Sequence, residues 1–151
     1  MAGRDDIILR VENLVTAFDT EAGRIPAVEN LSFAVRRGRS LGVVGESGCG
    51  KSVTALSIMR LLPKPSGVIE GGRILLEGTD LVSLPPDRMQ GIRGNRIAMI
   101  FQEPMTALNP VHRIGSQLAE VFRLHFPTMN EGEVEAASVD LLHKVGIPDS
   151  E

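Results

Sequence analysis

Apolar residues come in short alternating runs through the first third of the chain and at helical spacing through the last. Between them stand two stretches that are apolar almost without interruption. Ile7 to Val11 and Leu14 to Phe18 read as short strands parted by a turn at Glu12-Asn13. Asp19 to Pro26 is polar and reads as a hairpin loop, after which Leu31 to Val35 alternates and closes at Arg36-Arg37-Gly38. Ser40 to Val44 predicts a buried parallel strand. From Lys51, the positions Val53, Ala55, Leu56, Ile58, Met59, Leu61 and Leu62 predict a helix stopped by Pro63. Pro63 to Gly72 reads as a loop, Arg73 to Leu76 as a strand, and Pro86 to Met89 as a short helix ended by Gly91. Arg96 to Phe101 predicts a second apolar strand.

Ile114, Leu118, Val121, Phe122 and Phe126 fall on one helical face that Pro127 ends, a stripe read as internal packing. Thr128 with Glu131 forms a capping-box pattern for a following helix. Its stripe is Val134, Ala137, Leu141, Leu142 and Val145, and Gly146 and Pro148 stop it. Phe33, Phe101, Phe122 and Phe126 are expected in the core. No internal repeat, low-complexity tract or heptad array interrupts the pattern.

A chain of 151 residues suits one domain with a real core. The net charge of −3 gives no basic surface for a nucleic acid. Lysine is rare beside arginine (Lys51, Lys64 and Lys144 only), so a lysine in a glycine-rich loop stands out. Cys49 is the single cysteine, which excludes an internal disulfide framework and fits a reducing compartment. No run approaches the roughly 18 apolar residues of a membrane span. The N-terminus lacks the pattern of a signal peptide. The expectation is a soluble, cytoplasmic chain that can still dock on a membrane partner.

The strongest chemical signal is Gly45-Glu46-Ser47-Gly48-Cys49-Gly50-Lys51-Ser52, the spacing G-x-x-x-x-G-K-S of a phosphate-binding loop. Its glycines let backbone N–H groups approach phosphate oxygens. Lys51 can reach the β- and γ-phosphates, and the Ser52 hydroxyl can ligate Mg²⁺. A strand before the loop and a helix after it would aim a helix N-terminus at the anion. Cys49 at that terminus is read either as a reactive thiol or as a small residue tolerated between glycines.

Gly42 to Ser52 resembles the first half of an ABC-type ATPase, and so does Met99-Ile100-Phe101-Gln102-Glu103-Pro104-Met105-Thr106-Ala107-Leu108-Asn109-Pro110. The second stretch is most similar to the oligopeptide/dipeptide (and nickel) importer branch of ATP-binding subunits. The resemblance runs from Ile7 to Pro148 and covers the N-terminal portion of such a protein. It implies an α/β P-loop NTPase core of ABC type with an N-terminal antiparallel β subdomain, over residues 1–110. Residues 111–151 would begin the helical subdomain. The implied cofactors are ATP and Mg²⁺. Gln102 matches the glutamine that reaches Mg²⁺ and the attacking water and senses the γ-phosphate. Phe18 sits where the family stacks an aromatic ring on adenine, and Val28 matches a small apolar residue beside the sugar. Gly45 to Ser52, with Val53, would hold the phosphates. The implied partners are membrane-spanning permease subunits, contacted through the Met105 to Asn109 loop, and a second ATPase subunit. That places the protein on the inner face of the plasma membrane.

The family pattern further demands a Leu-Ser-Gly-Gly-Gln-type signature, a second apolar strand ending in Asp-Glu, a D-loop and a switch histidine, and the 151 residues contain none of them. Ile74-Leu75-Leu76-Glu77 ends in an acid but lacks a second carboxylate, and Asp140 reads as a solvated helix position. His112, His125 and His143 have no metal-ligand spacing. Nucleotide affinity is therefore expected in the family's full-length protein, and negligible hydrolysis by this chain alone. The alternatives are a truncated, non-hydrolysing nucleotide-binding fragment, or another P-loop enzyme. An Asn-Lys-x-Asp guanine-reading motif is missing, which weighs against a GTPase, and residues 127–146 lack the arginines of a kinase lid.

Overall fold

A computed structural model describes residues 6–103 and 107–148. The chain divides into two compact units, one up to Met99 and one from Ile100. The first is built on four strands, β1 (Ile7–Thr20), β2 (Gly23–Arg36), β3 (Gly67–Leu76) and β4 (Thr79–Asp80). They form one antiparallel sheet in the order β2-β1-β3-β4. Helix α1 (Lys51–Met59) and the short α2 (Pro86–Ile92) complete the unit. Val11, Leu14, Val28, Ile58, Ile74, Leu76, Leu81 and Met89 make its core.

The two short strands expected before residue 19 are one long strand. Glu12-Asn13 does not turn the chain back; it is absorbed as a bulge, where the register of β1 against β2 and β3 shifts. Asn13 takes φ +48°, and its N–H donates to Ser32 Oγ at 2.8 Å. Pairing with β1 also draws Gly67 to Gly72 out of the expected loop and into β3.

Helix α1 ends at Met59, three residues before Leu62, because Arg60 adopts a left-handed conformation with φ +51°. The Leu61 N–H closes the end on the Leu56 carbonyl at 2.8 Å. Two guanidinium groups finish the job. Arg93 donates from Nε to the Met59 carbonyl at 2.8 Å and from a terminal nitrogen to the Arg60 carbonyl at 2.7 Å. Arg60 in turn donates to the carbonyls of Leu81 and Leu84, fastening the loop before α2. Burial, and then the neighbouring Arg60 charge, lower the pKa of Arg93.

Neither apolar run expected as a buried strand forms one. Leu41 to Val44 is irregular and exposed, with Val44 92% accessible. Of Arg96 to Phe101, only Ile97 makes a bridge, to Arg93. Ile100 is 93% and Phe101 49% accessible. A buried strand requires hydrogen-bonding neighbours at its edges and layers on its faces. No described strand lies beside either run.

The second unit pairs α3 (Ile114–His125) with α4 (Glu131–Lys144). Ala119, Val134 and Ser138 are buried there. The apolar stripes are less enclosed than expected. Ile114, Val121, Leu141 and Val145 are exposed, and so is Phe126, which was expected in the core with Phe101. The cap of α4 is Asn130, not Thr128: Asn130 Oδ1 accepts from Glu133 N, and the Glu133 carboxylate accepts from Asn130 N. Glu131 is committed elsewhere, to a two-pronged pair with Arg123.

Candidate functional site

The glycine loop connects residue 45 to the first turn of α1. Gly50 stands at the helix N-cap with φ +88°, in the left-handed region. No side chain caps this end and no acid lies in the first turn. The N–H groups that every helix start leaves without an internal partner are therefore available to an anion, reinforced by the helix dipole. Thr54 secures the turn from inside, donating from both N and Oγ1 to the Gly50 carbonyl at 2.8 and 2.9 Å.

Lys51 folds back over the loop. Its Nζ donates to the carbonyls of Gly45 at 2.8 Å and Glu46 at 2.7 Å, with Cys49 Sγ at 3.5 Å. The ammonium is thus held at the mouth of the loop by neutral oxygens, and no carboxylate competes for it among these contacts. Ser52 and Cys49 are exposed, and Val53 is half-buried beneath them. A flexible cation over an uncapped helix start is a fit receptacle for a phosphate chain.

One expected residue reaches this region from the sheet. Val28 is buried, and its Cγ2 lies 3.4 Å from where a Cβ on Gly50 would sit. The neighbouring Ala27 carbonyl lies only 2.5 Å from that same point. The backbone of β2 therefore presses directly on Gly50, which sequence reading alone had not flagged. Phe18 stands near the end of β1, half-buried and paired with Gly67 of β3 and Ile25 of β2. Gln102 belongs to the second unit, where it is exposed and outside any helix or strand.

Of the expected docking loop, Met105 and Thr106 lie outside the described residues. Asn109 is held from α3: Gln117 Oε1 accepts from Asn109 N at 2.8 Å, while Gln117 Nε2 donates to the carbonyls of Asn109 and His112, each at 3.0 Å. Gln117, Ala27 and Arg93 escaped notice because their partners are backbone atoms, which leave no trace in residue spacing. Among the described residues no cluster of three His, Cys, Asp or Glu side chains suits a metal, and no helix is long and apolar enough to cross a membrane.

Residues 28–151 match the family model described as ABC transporter. A Brucella abortus (strain 2308) protein named as a peptide import ATP-binding protein is 49% identical over 148 residues, which is 95% of this chain and 44% of the relative. The oligopeptide transport ATP-binding protein OppD of Bacillus subtilis (strain 168) is 45% identical over 141 residues, covering 93% of this chain and 39% of its own length. The chain thus spans less than half the length of the curated relatives it matches. A solved dimeric ATP-binding cassette in a post-hydrolysis state bound to ADP and Pi aligns at a TM-score of 0.71. It is 18% identical, over 89% of this chain and 56% of that one, a likeness of fold.

Proposed function

The chain belongs to the ABC transporter family, and we propose that it is the nucleotide-binding portion of an importer ATPase that couples ATP to the uptake of peptides or related solutes. The observation that carries this reading is the uncapped start of α1 with Lys51 folded over the loop carbonyls. The peptide-import names of relatives at 45–49% identity supply the substrate class.

In this reading the N–H groups from Gly45 to Val53 and the Lys51 ammonium hold the triphosphate. Ser52 and Gln102 hold Mg²⁺, and Gln102 also senses the γ-phosphate. Phe18 stacks on adenine, for which it needs only an aromatic face, and Val28 lies beside the sugar. Bound Mg²⁺ neutralises phosphate charge. Residues 1–110 act as the core part and 111–151 as the start of a helical part. The partners are membrane-spanning permease subunits, met through the Met105 to Asn109 region, and a second ATPase subunit. The protein works at the inner face of the plasma membrane.

Titration of the intact protein with a fluorescent ATP analogue tests the site. Lys51→Ala is expected to weaken binding by about tenfold or more, as loss of a charged hydrogen-bond donor implies. Equal affinities for wild type and variant would overturn the assignment.

A further inference from the structure

We infer that Gly67 is a positioning residue for the nucleotide base: it sets the attitude of the Phe18 ring, and through it the preference for ATP over a bare triphosphate. The inference rests on the reading of Phe18 as the adenine-stacking residue.

Phe18 and Gly67 face each other across β1 and β3. A Cβ built on Gly67 would lie 3.1 Å from Phe18 Cε1, 2.8 Å from Leu62 Cβ and 3.1 Å from the Pro63 carbonyl. The ring edge therefore rests in space that only glycine leaves free. Gly67 is not needed here for its backbone, since its φ lies outside the left-handed region. Room is the whole requirement. An aromatic ring covering a cross-strand glycine is a stabilising sheet pairing in its own right.

The surroundings hold that arrangement from several sides. The Asp19 N–H donates to the Ser66 carbonyl at 2.9 Å, and the Gly67 N–H donates to the Pro63 carbonyl at 2.7 Å. Arg24 ties the strand ends together, donating to both carboxylate oxygens of Asp19 and to Glu70 at 2.7 Å. The backbone on either side of the ring has little freedom to yield. A methyl group on Gly67 must then displace the ring by a few tenths of an ångström, and it also presses on Leu62 Cβ, which gives way only if the Leu62 backbone shifts. Phe18 is only half-buried, so the ring has somewhere to go and the fold need not fail.

The chain has no Trp or Tyr, so Phe18→Trp creates a single reporter at this position. In the intact protein, ATP and inorganic tripolyphosphate affinities are measured for wild type, Phe18→Ala, Gly67→Ala and Phe18→Ala/Gly67→Ala. Phe18→Ala is expected to lower ATP affinity about fivefold or more and leave tripolyphosphate within about twofold, the scale of one base–aromatic stack. Gly67→Ala is expected to reproduce most of that selective loss, to add nothing in the Phe18→Ala background, and to shift the emission of the Phe18→Trp protein. If Phe18→Ala leaves the ratio of the two affinities unchanged, the stacking reading fails. If Phe18→Ala lowers the ratio and Gly67→Ala does not, the stacking reading stands and the positioning role is overturned. Equal loss of both affinities in Gly67→Ala marks general damage to the fold and also overturns it.

Discussion

Thr16 on β1 and Ser57 on α1 meet hydroxyl to hydroxyl at 2.9 Å, and neither residue has any accessible surface. Ser57 spends its own hydrogen on the Val53 carbonyl at 2.7 Å. The hydrogen between the two side chains therefore belongs to Thr16. This contact fixes the helix that carries Lys51 and Ser52 to the strand that carries Phe18. Ser57→Ala strands a buried donor on Thr16 and is expected to cost about 1–3 kcal/mol. Thr16→Val removes that donor and leaves Ser57 with Val53, so it should cost less, on the order of 1 kcal/mol. Denaturant unfolding should find Thr16→Val/Ser57→Ala more stable than Ser57→Ala. A double variant that adds the two single costs would refute the assigned direction of the bond.

Gly50 and Gly48 both have φ near +85°, at +88° and +83°. Only Gly50 lacks room: an added Cβ would sit 2.5 Å from the Ala27 carbonyl, while one on Gly48 would meet nothing within 4 Å. Gly48→Ala should therefore lose only the left-handed penalty, about 1–2 kcal/mol. Gly50→Ala adds overpacking against β2 backbone, about 1–3 kcal/mol more. Thermal unfolding of the two variants gives the comparison, and equal losses would show that β2 does not press on the loop.

The glycine turn and the start of α1 at Lys51 were legible in the sequence because the requirement is local, a matter of left-handed backbone at Gly48 and Gly50 followed by helical spacing. The bulge at Glu12-Asn13 was misread because a polar pair inside an apolar run signals a turn and a bulge equally well until the pairing strands are known. Ser40 to Val44 and Arg96 to Phe101 were misread for a different reason. Apolar content reports that a segment seeks burial, and a strand exists only where neighbours pair with it. The cap of α4 depended on a competition that spacing cannot rank. Thr128 with Glu131 and Asn130 with Glu133 have the same pattern, and the pull of Arg123 on Glu131 favours the second.

Arg93 holds two carbonyls at the C-terminal end of α1, opposite the end that carries the glycine loop. A planar guanidinium reaches both, which a lysine ammonium on a single stem does not reproduce. Arg93→Lys is expected to destabilise the protein by up to about 1.5–3 kcal/mol, the range for charged hydrogen bonds. Amide hydrogen exchange should quicken first in the last turn of α1, and unchanged exchange at Met59 to Leu61 would refute the capping role.

Asp19 accepts from Arg24 Nε at 2.7 Å and from a terminal nitrogen at 3.0 Å. That hydrogen bonding is the main cause holding its carboxyl below the ordinary 3.8; the Arg24 charge adds to it and partial desolvation opposes it. A carboxyl depressed in the folded state contributes stability above its unfolded value and loses it as pH falls through the folded one. The contribution is therefore complete at neutral pH and fades only below pH 3.8. Carboxyl carbon NMR should place the Asp19 midpoint below 3.8 in the wild type, and Arg24→Gln should raise it toward that value. The same substitution frees Glu70 on β3, so the strand ends beside Phe18 lose both ties at once. A midpoint that does not move in Arg24→Gln would show that the pair does not bind these strand ends in solution.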